Sequence, residues 1–213
     1  MTHILANIKQ LRKPSIEGFY SERNVHDHLK HLTVPELQEI TANSALPFWV
    51  MTLNVLGDLN TATVIRSAHL LGAERVVVFG RRKIDNRGLV GAAHYTPVDK
   101  VWAVNDDLSI NVNTFVQFCK DNQVLPVFIE QGGENCFLMD WCSTFAKYTQ
   151  QRMKPMLVLG TEKDGIPQDI LNCGIDLGGT IVSIPQKGVV RSHNLSMAFA
   201  IVTSQMVGQL GWY

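Results

Sequence analysis

From residue 47 onward the chain alternates short apolar runs with longer amphipathic ones, and this alternation constrains the fold more than any other feature. The runs FWVMTLNVL, RVVVFG, VDKVWAV, VLPVFIE, PMLVLG and TIVSIP have the length and apolar density of buried strands. Between and after them lie TATVIRSAHLLG, VNTFVQFCKDN, DWCSTFAKYTQQ, IPQDILNCG and NLSMAFAIVTSQMVGQL, whose apolar residues recur at helical spacing. Strands alternating with helices predict an α/β protein: a mostly parallel sheet flanked by helices, with its strands covered on both faces. Before this region, residues 24–43 read as helical in two pieces, separated at Thr33-Val34-Pro35-Glu36, where Thr33 can cap and Glu36 can reach back. The expected organisation is therefore an N-terminal helical extension over residues 1–46 and one α/β domain over 47–213. No internal repeat, low-complexity tract or Pro/Gly/Ser-rich linker divides it further.

Lys plus Arg and Asp plus Glu each number 19, so the balance of charge gives no argument for a polyanionic partner. Any such partner has to be met by a local patch, and the best candidate is Arg81-Arg82-Lys83 with Arg87 beyond it. The four cysteines form no CxxC pair and no regular framework, which fits reduced thiols in a cytoplasmic protein. The opening MTHILANIKQLRKPSIEGFYSERN has no apolar core of signal-peptide length and no stretch approaches a membrane span, so a soluble protein without a membrane partner is expected.

In parallel α/β sheets the ligand sits beyond the carboxyl ends of the strands, which directs attention to the strand-to-helix turns. Three carry unusual residues: GDLNTATVIR at 57–66, GTEKDG at 160–165 and PQKGVVRSHN at 185–194. Several chemistries are excluded by spacing. His26, His28 and His31 in HDHLKH lack a further ligand at fixed spacing, so no metal is expected. In the second turn Gly165 is followed by Ile166-Pro167 rather than by Lys and a hydroxyl residue, so it is no triphosphate loop; no G-x-G-x-x-G follows any strand. Ser192-His193 lacks the G-x-S-x-G elbow of a hydrolase. What remains is a glycine-lined strand end that lets a flat ligand approach the backbone, with Glu162 inside the turn. Ser192 or Asn194 can cap the last helix. Arg66 stands in an apolar helical pattern, where a guanidinium needs an ion-pair partner or a phosphate.

Taken together, in this order, the three turns resemble the SpoU/TrmH-type RNA ribose 2'-O-methyltransferases of the SPOUT superfamily. The resemblance rests on Asn60-x5-Arg66 followed by Gly72, on LVLGTEKDGIP with Gly160, Glu162 and Gly165, and on IPQKGVVRSHN with Ile184, Pro185, Gly188, Ser192 and Asn194. It implies an α/β domain whose C-terminal segment threads a deep trefoil knot, an exception to the rule against knots. It implies S-adenosylmethionine as cofactor, bound largely by strand-end backbone at Leu159, Gly160, Gly165, Ile184, Gly188 and His193. It implies a homodimer with RNA as substrate. By the same resemblance Asn60, Arg66, Glu162, Ser192 and Asn194 are the catalytic residues, and Arg81, Arg82, Lys83, Arg87 and Arg191 are the expected phosphate contacts.

Transfer to a ribose hydroxyl requires the oxygen to lie opposite the leaving sulfur and to lose its proton. A guanidinium is a poor base, so the expected part for Arg66 is an electrostatic clamp on the phosphate and developing alkoxide, with Asn60, Glu162 and Asn194 as positioning groups. Two departures from the family pattern stand out: His193 replaces the usual Leu, and Leu56-Gly57-Asp58 replaces the usual Pro-Gly lead into the first motif. Arg191 beside Ser192 and the IPQ opening resemble the branch that methylates guanosine in the transfer RNA D-loop. The alternatives are the same activity on ribosomal RNA, or a catalytically idle SPOUT-fold protein that binds RNA without turnover.

Overall fold

The run AERVVVFG buries both of its faces: Val76 and Val78 belong to one hydrophobic cluster, Val77 and Phe79 to another, and all four are fully buried. Only a central strand of a sheet covered on both sides makes that arrangement. A computed structural model describes residues 23–54, 59–81, 84, 88–161 and 164–212. Its strands are β1 Leu46–Asn54, β2 Ala73–Gly80, β3 Val98–Trp102, β4 Val124–Asn135, β5 Lys154–Leu159 and β6 Thr180–Ser183. They form one sheet in the order β3-β2-β1-β5-β4-β6, and every pairing is parallel.

The helices are α1 Val34–Asn43, α2 Leu59–Leu70, α3 Val112–Asp121, α4 Trp141–Gln150, α5 Gln168–Asp176 and α6 Leu195–Gln209. One face of the sheet, with Phe48, Val50, Val127 and Leu157, packs against Val64, Ile65 and Ala68 of α2, Trp141 and Phe145 of α4, and Phe199, Val202 and Met206 of α6. The other, with Met51, Phe79, Phe128 and Val158, is covered by Phe115 and Cys119 of α3 and by Ile170 and Leu171 of α5. Truncating a fully buried ring such as Phe199 to Ala would remove about 3–5 kcal/mol. Side-chain caps fix three helix starts on this frame: Asn111 accepts from Thr114 N at 2.8 Å, Asp140 from Ser143 N at 2.9 Å and Asn194 from Ser196 N at 3.0 Å.

The extension differs from its expectation in one respect. The second piece is α1, with the full capping box: Thr33 Oγ1 accepts from Glu36 N, and Glu36 Oε2 accepts from Thr33 N at 2.8 Å. The first piece is only a 3-10 turn over Asp27–Leu29. HDHLKH has too narrow an apolar stripe to pack a longer helix; Val25 and Leu29 rest on Leu32, Leu37 and Tyr95, and no side chain caps the turn.

Strands β1, β2 and β3 step outward in one direction, whereas β4 lies on the far side of β1 and β5 inserts between them. The order therefore reverses between β1 and β5, and the carboxyl ends of these two strands frame the crevice where such sheets bind ligands.

Candidate active site

The first and second motifs flank this reversal. β1 and β5 run in register from Trp49 beside Met156 to Thr52 beside Leu159, so the carboxyl end of β1 and the turn opened by Gly160 lie side by side. Gly160 is buried, and a Cβ there would lie 2.3 Å from the carbonyl carbon of Gly165. Thr161 and Gly165 close the turn with paired backbone bonds, Thr161 N to Gly165 O at 2.8 Å and Gly165 N to Thr161 O at 3.0 Å. Gly165 takes φ of +68°, where a side chain would be strained and a Cβ would meet Glu130 Oε2 at 2.7 Å. Both glycines are thus demanded by the hairpin that shapes the strand end.

The third motif starts elsewhere. β6 lies three strands from β1, about 14 Å at ordinary strand spacing. Residues 185–193, which belong to no helix or strand, return across that distance to the start of α6. On the way Gln131, in the last part of β4, donates through Nε2 to the Arg191 carbonyl. At the end of the return Asn194 Nδ2 donates to Asn60 Oδ1 at 2.9 Å. Asn194 Oδ1 is already taken by the cap, accepting from Ser196 N at 3.0 Å and Ser196 Oγ at 2.7 Å, so its amide can only present Nδ2 to Asn60. Asn194, rather than Ser192, is the N-cap of α6.

Asn60 is half-buried in the first turn of α2, and Arg66 is exposed on the same helix. Exposed Thr63, Arg66 and Leu70 form a stripe opposite buried Ala62, Ile65 and Ala68. This corrects the expectation that Arg66 is enclosed by apolar neighbours: Val64, Ile65 and Ala68 face the sheet while the guanidinium faces outward. Among the described residues it forms no ion pair. Arg66 borders a cavity of about 340 Å3 between α1 and α2, whose wall includes His26, Ile40, His69 and Tyr95. His69 has its pKa lowered by burial, and its Nδ1 is 2.8 Å from Thr96 Oγ1.

Leu159 is buried, Ile184 packs half-buried on the core, and Gly188, Ser192 and His193 are exposed along the returning segment. Arg81 follows β2 and Arg191 passes the end of β4, so these two cations bracket β1 and β5 along the carboxyl edge. Glu162, Arg82, Lys83 and Arg87 lie outside the described residues. No group of three or more His, Cys, Asp or Glu able to hold a metal occurs among the described residues, and no described helix is long and apolar enough to cross a membrane.

Two residues absent from the sequence reading help build the site. Glu130, in β4, accepts from Ile166 N at 3.0 Å through Oε2, tying the second turn to β4, and neighbouring Gln131 holds the third motif at Arg191. Their signal was available: VLPVFIEQGG is an apolar strand that turns polar and then glycine-rich at its carboxyl side.

Asn194 meets Asn60 near the point where the strand order reverses, and the Gly160 hairpin leaves β5 beside β1 at the same carboxyl edge of this α/β sheet. Residues 47–204 match the SpoU rRNA Methylase family, and the chain belongs to that family. Solved structures share the fold. A TrmH/SpoU tRNA modifying enzyme from A. aeolicus superposes with a TM-score of 0.61 at 17% identity, covering 84% of this chain and 85% of that one. An AdoMet-bound rRNA methyltransferase from Sinorhizobium meliloti gives 0.57 at 22% identity, covering 82% of this chain and 60% of its own. An RNA 2'-O ribose methyltransferase gives 0.56 at 18% identity, covering 78% and 57%. The chain thus spans less than two thirds of the latter two proteins. No curated protein matches the chain.

Proposed function

We propose that the protein is an S-adenosylmethionine-dependent methyltransferase acting on a ribose 2'-hydroxyl of RNA. The observation that carries this reading is the Asn194–Asn60 hydrogen bond, which brings the third motif against the first at the carboxyl edge of β1 and beside the Gly160 hairpin. Family membership and the AdoMet-bound state of the Sinorhizobium meliloti neighbour support the cofactor. The donor set fits it: the hairpin at Gly160 and Gly165 and residues 184–193, which belong to no helix or strand, offer backbone amides and carbonyls suited to an adenine and an amino acid moiety. Leu159, Gly160, Gly165, Ile184, Gly188 and His193 are the residues that would hold it, His193 through its backbone.

When bound, S-adenosylmethionine would supply a sulfonium methyl to the ribose oxygen, its sulfur leaving as a neutral thioether and the hydroxyl proton going to solvent. The residues of this chain place that oxygen and stabilise its charge. Exposed Arg66 serves as the clamp on the target phosphate and developing alkoxide, and the exposure of its guanidinium suits a polyanionic partner. Asn60, held by Asn194, and Ser192 orient the ribose; Glu162 completes this set. Arg81, Arg82, Lys83, Arg87 and Arg191 contact RNA phosphates.

The finer parts of the proposal are a D-loop guanosine of transfer RNA as target, a cytoplasmic homodimer as the working form, a catalytic domain over residues 47–213, and a trefoil knot formed as the returning segment passes the β4 end. Calorimetry with S-adenosylmethionine separates this reading from an idle RNA-binding protein. Saturable heat at one site per chain is expected, and its absence at high protein concentration would favour the idle form.

A further inference from the structure

Trp102 ends β3 with 55% of its surface exposed, whereas Trp49 and Trp141 are buried at 7% and 0%, and Trp212 packs edge-on against Phe145. A lone exposed ring carries little meaning by itself. Its position carries more. Trp102 is in register with Gly80, which is in register with Asn54 at the end of β1, so the three stand in one row across the carboxyl edge. At ordinary strand spacing the Trp102 backbone lies about 10 Å from the end of β1, from which the chain passes to Asn60. Gly80, between them, contributes no side chain to stand in the way.

Of the charged groups near the ring in sequence, one cation shares its face of the strand. Lys100 is exposed two residues earlier on the same face of β3, about 7 Å along the strand. Asp99, on the opposite face, is paired with Arg75 at 2.8 Å, which offsets the one carboxylate of the strand. Asp106 and Asp107 follow in the turn closed by the Val104–Ile110 bridge, where Asp107 is engaged by Ser109 N at 2.9 Å and Ser109 Oγ at 2.6 Å. An exposed indole beside an exposed ammonium is the pairing that receives an unstacked base and its phosphate.

We infer that Trp102 is a stacking platform for a base of the RNA strand, at a nucleotide flanking the one presented to Asn60, with Lys100 on a neighbouring phosphate. This rests on the RNA-methylating reading and extends it to substrate recognition. The test compares wild type, Trp102→Ala and Trp102→Phe on unmodified transfer RNA transcripts with labelled S-adenosylmethionine, and follows indole fluorescence during titration with single-stranded poly(U). Trp102→Ala should raise KM for RNA about 5- to 150-fold. Its kcat and cofactor affinity should stay within about twofold, Trp102→Phe should restore most of the loss, and poly(U) should quench wild type but not Trp102→Ala.

An unchanged KM and unchanged quenching would overturn the inference. So would a Trp102→Ala protein whose only change is its oligomeric mass, since the ring would then belong to a protein interface. If wild type transfers no methyl to any transcript, the functional reading fails by itself. The quenching comparison then decides the role of Trp102 separately.

Discussion

Asn194 Nδ2 lies 2.9 Å from Asn60 Oδ1, joining side chains 134 residues apart in sequence at the mouth of the crevice. The same Asn194 caps α6 through its other amide atom, so one side chain fastens a helix and positions a candidate catalytic group. Asn194→Asp separates these roles. The carboxylate still caps, but Asn60 must turn its amide to donate, inverting what it presents to substrate. We expect thermal stability to change by less than about 1 kcal/mol, because Asp and Asn cap comparably. We expect kcat/KM for RNA methylation to fall about 10-fold, the scale of one mispaired hydrogen bond at a solvent-exposed site. Denaturation curves and steady-state kinetics on the same preparation check both.

Gly160→Ala places a methyl group 2.3 Å from the Gly165 carbonyl carbon, and both partners are backbone. The hairpin has to open, at a cost of about 1–3 kcal/mol for overpacking. For a chain of this size that lowers Tm by roughly 3–10 °C. Cofactor affinity, read by calorimetry, should fall further than the loss of stability explains, because the displaced hairpin carries the proposed cofactor contacts at Gly160 and Gly165.

Burial holds the His69 pKa below its usual 6.5, so the folded protein resists a proton that the unfolded chain accepts. Between the two values the unfolded state binds more protons, and stability rises with pH. The contribution is complete above about pH 6.5 and is lost as pH falls through the depressed folded value. Denaturant midpoints measured from pH 7.5 down to 5 should decline for wild type, and decline less steeply for His69→Gln.

The four cysteines are all unpaired, and their environments predict their reactivity. Burial, with Cys173 nearby, pushes the Cys119 thiol up to about 12, and burial also raises Cys136 and Cys173. Cys142 is exposed. Timed alkylation of native protein at pH 8, read by peptide mass, should label Cys142 first and Cys119 only on unfolding, since the thiolate is the reacting form.

Most of the architecture was legible because parallel strands buried on both faces read as continuous apolar runs, and RVVVFG and PMLVLG became β2 and β5 at once. The three motif turns were legible as turns because each follows an apolar strand run in the sequence. The outward setting of Arg66 was also encoded, in the i, i+3, i+7 stripe of Thr63, Arg66 and Leu70, but adjacent apolar letters mask a neighbour that points about 100° away. The bond of Asn194 to Asn60 was not legible, because it depends on a segment returning across three strands. The polar end of VLPVFIEQGG marked where Glu130 and Gln131 stand, but their partners Ile166 and Arg191, 36 and 60 residues distant, were not legible.

The central claim is methyl transfer to a ribose oxygen with Arg66 as its electrostatic clamp. The direct measurement incubates transfer RNA with methyl-labelled S-adenosylmethionine, digests it to nucleosides and locates the label by mass spectrometry, for wild type and for Arg66→Ala shown to bind the cofactor normally. The account predicts a 2'-O-methylnucleoside from wild type and a rate at least about 100-fold lower from Arg66→Ala, the scale of losing one preorganised stabilising group. Label on a base, no label at all, or an undiminished rate in Arg66→Ala would contradict it.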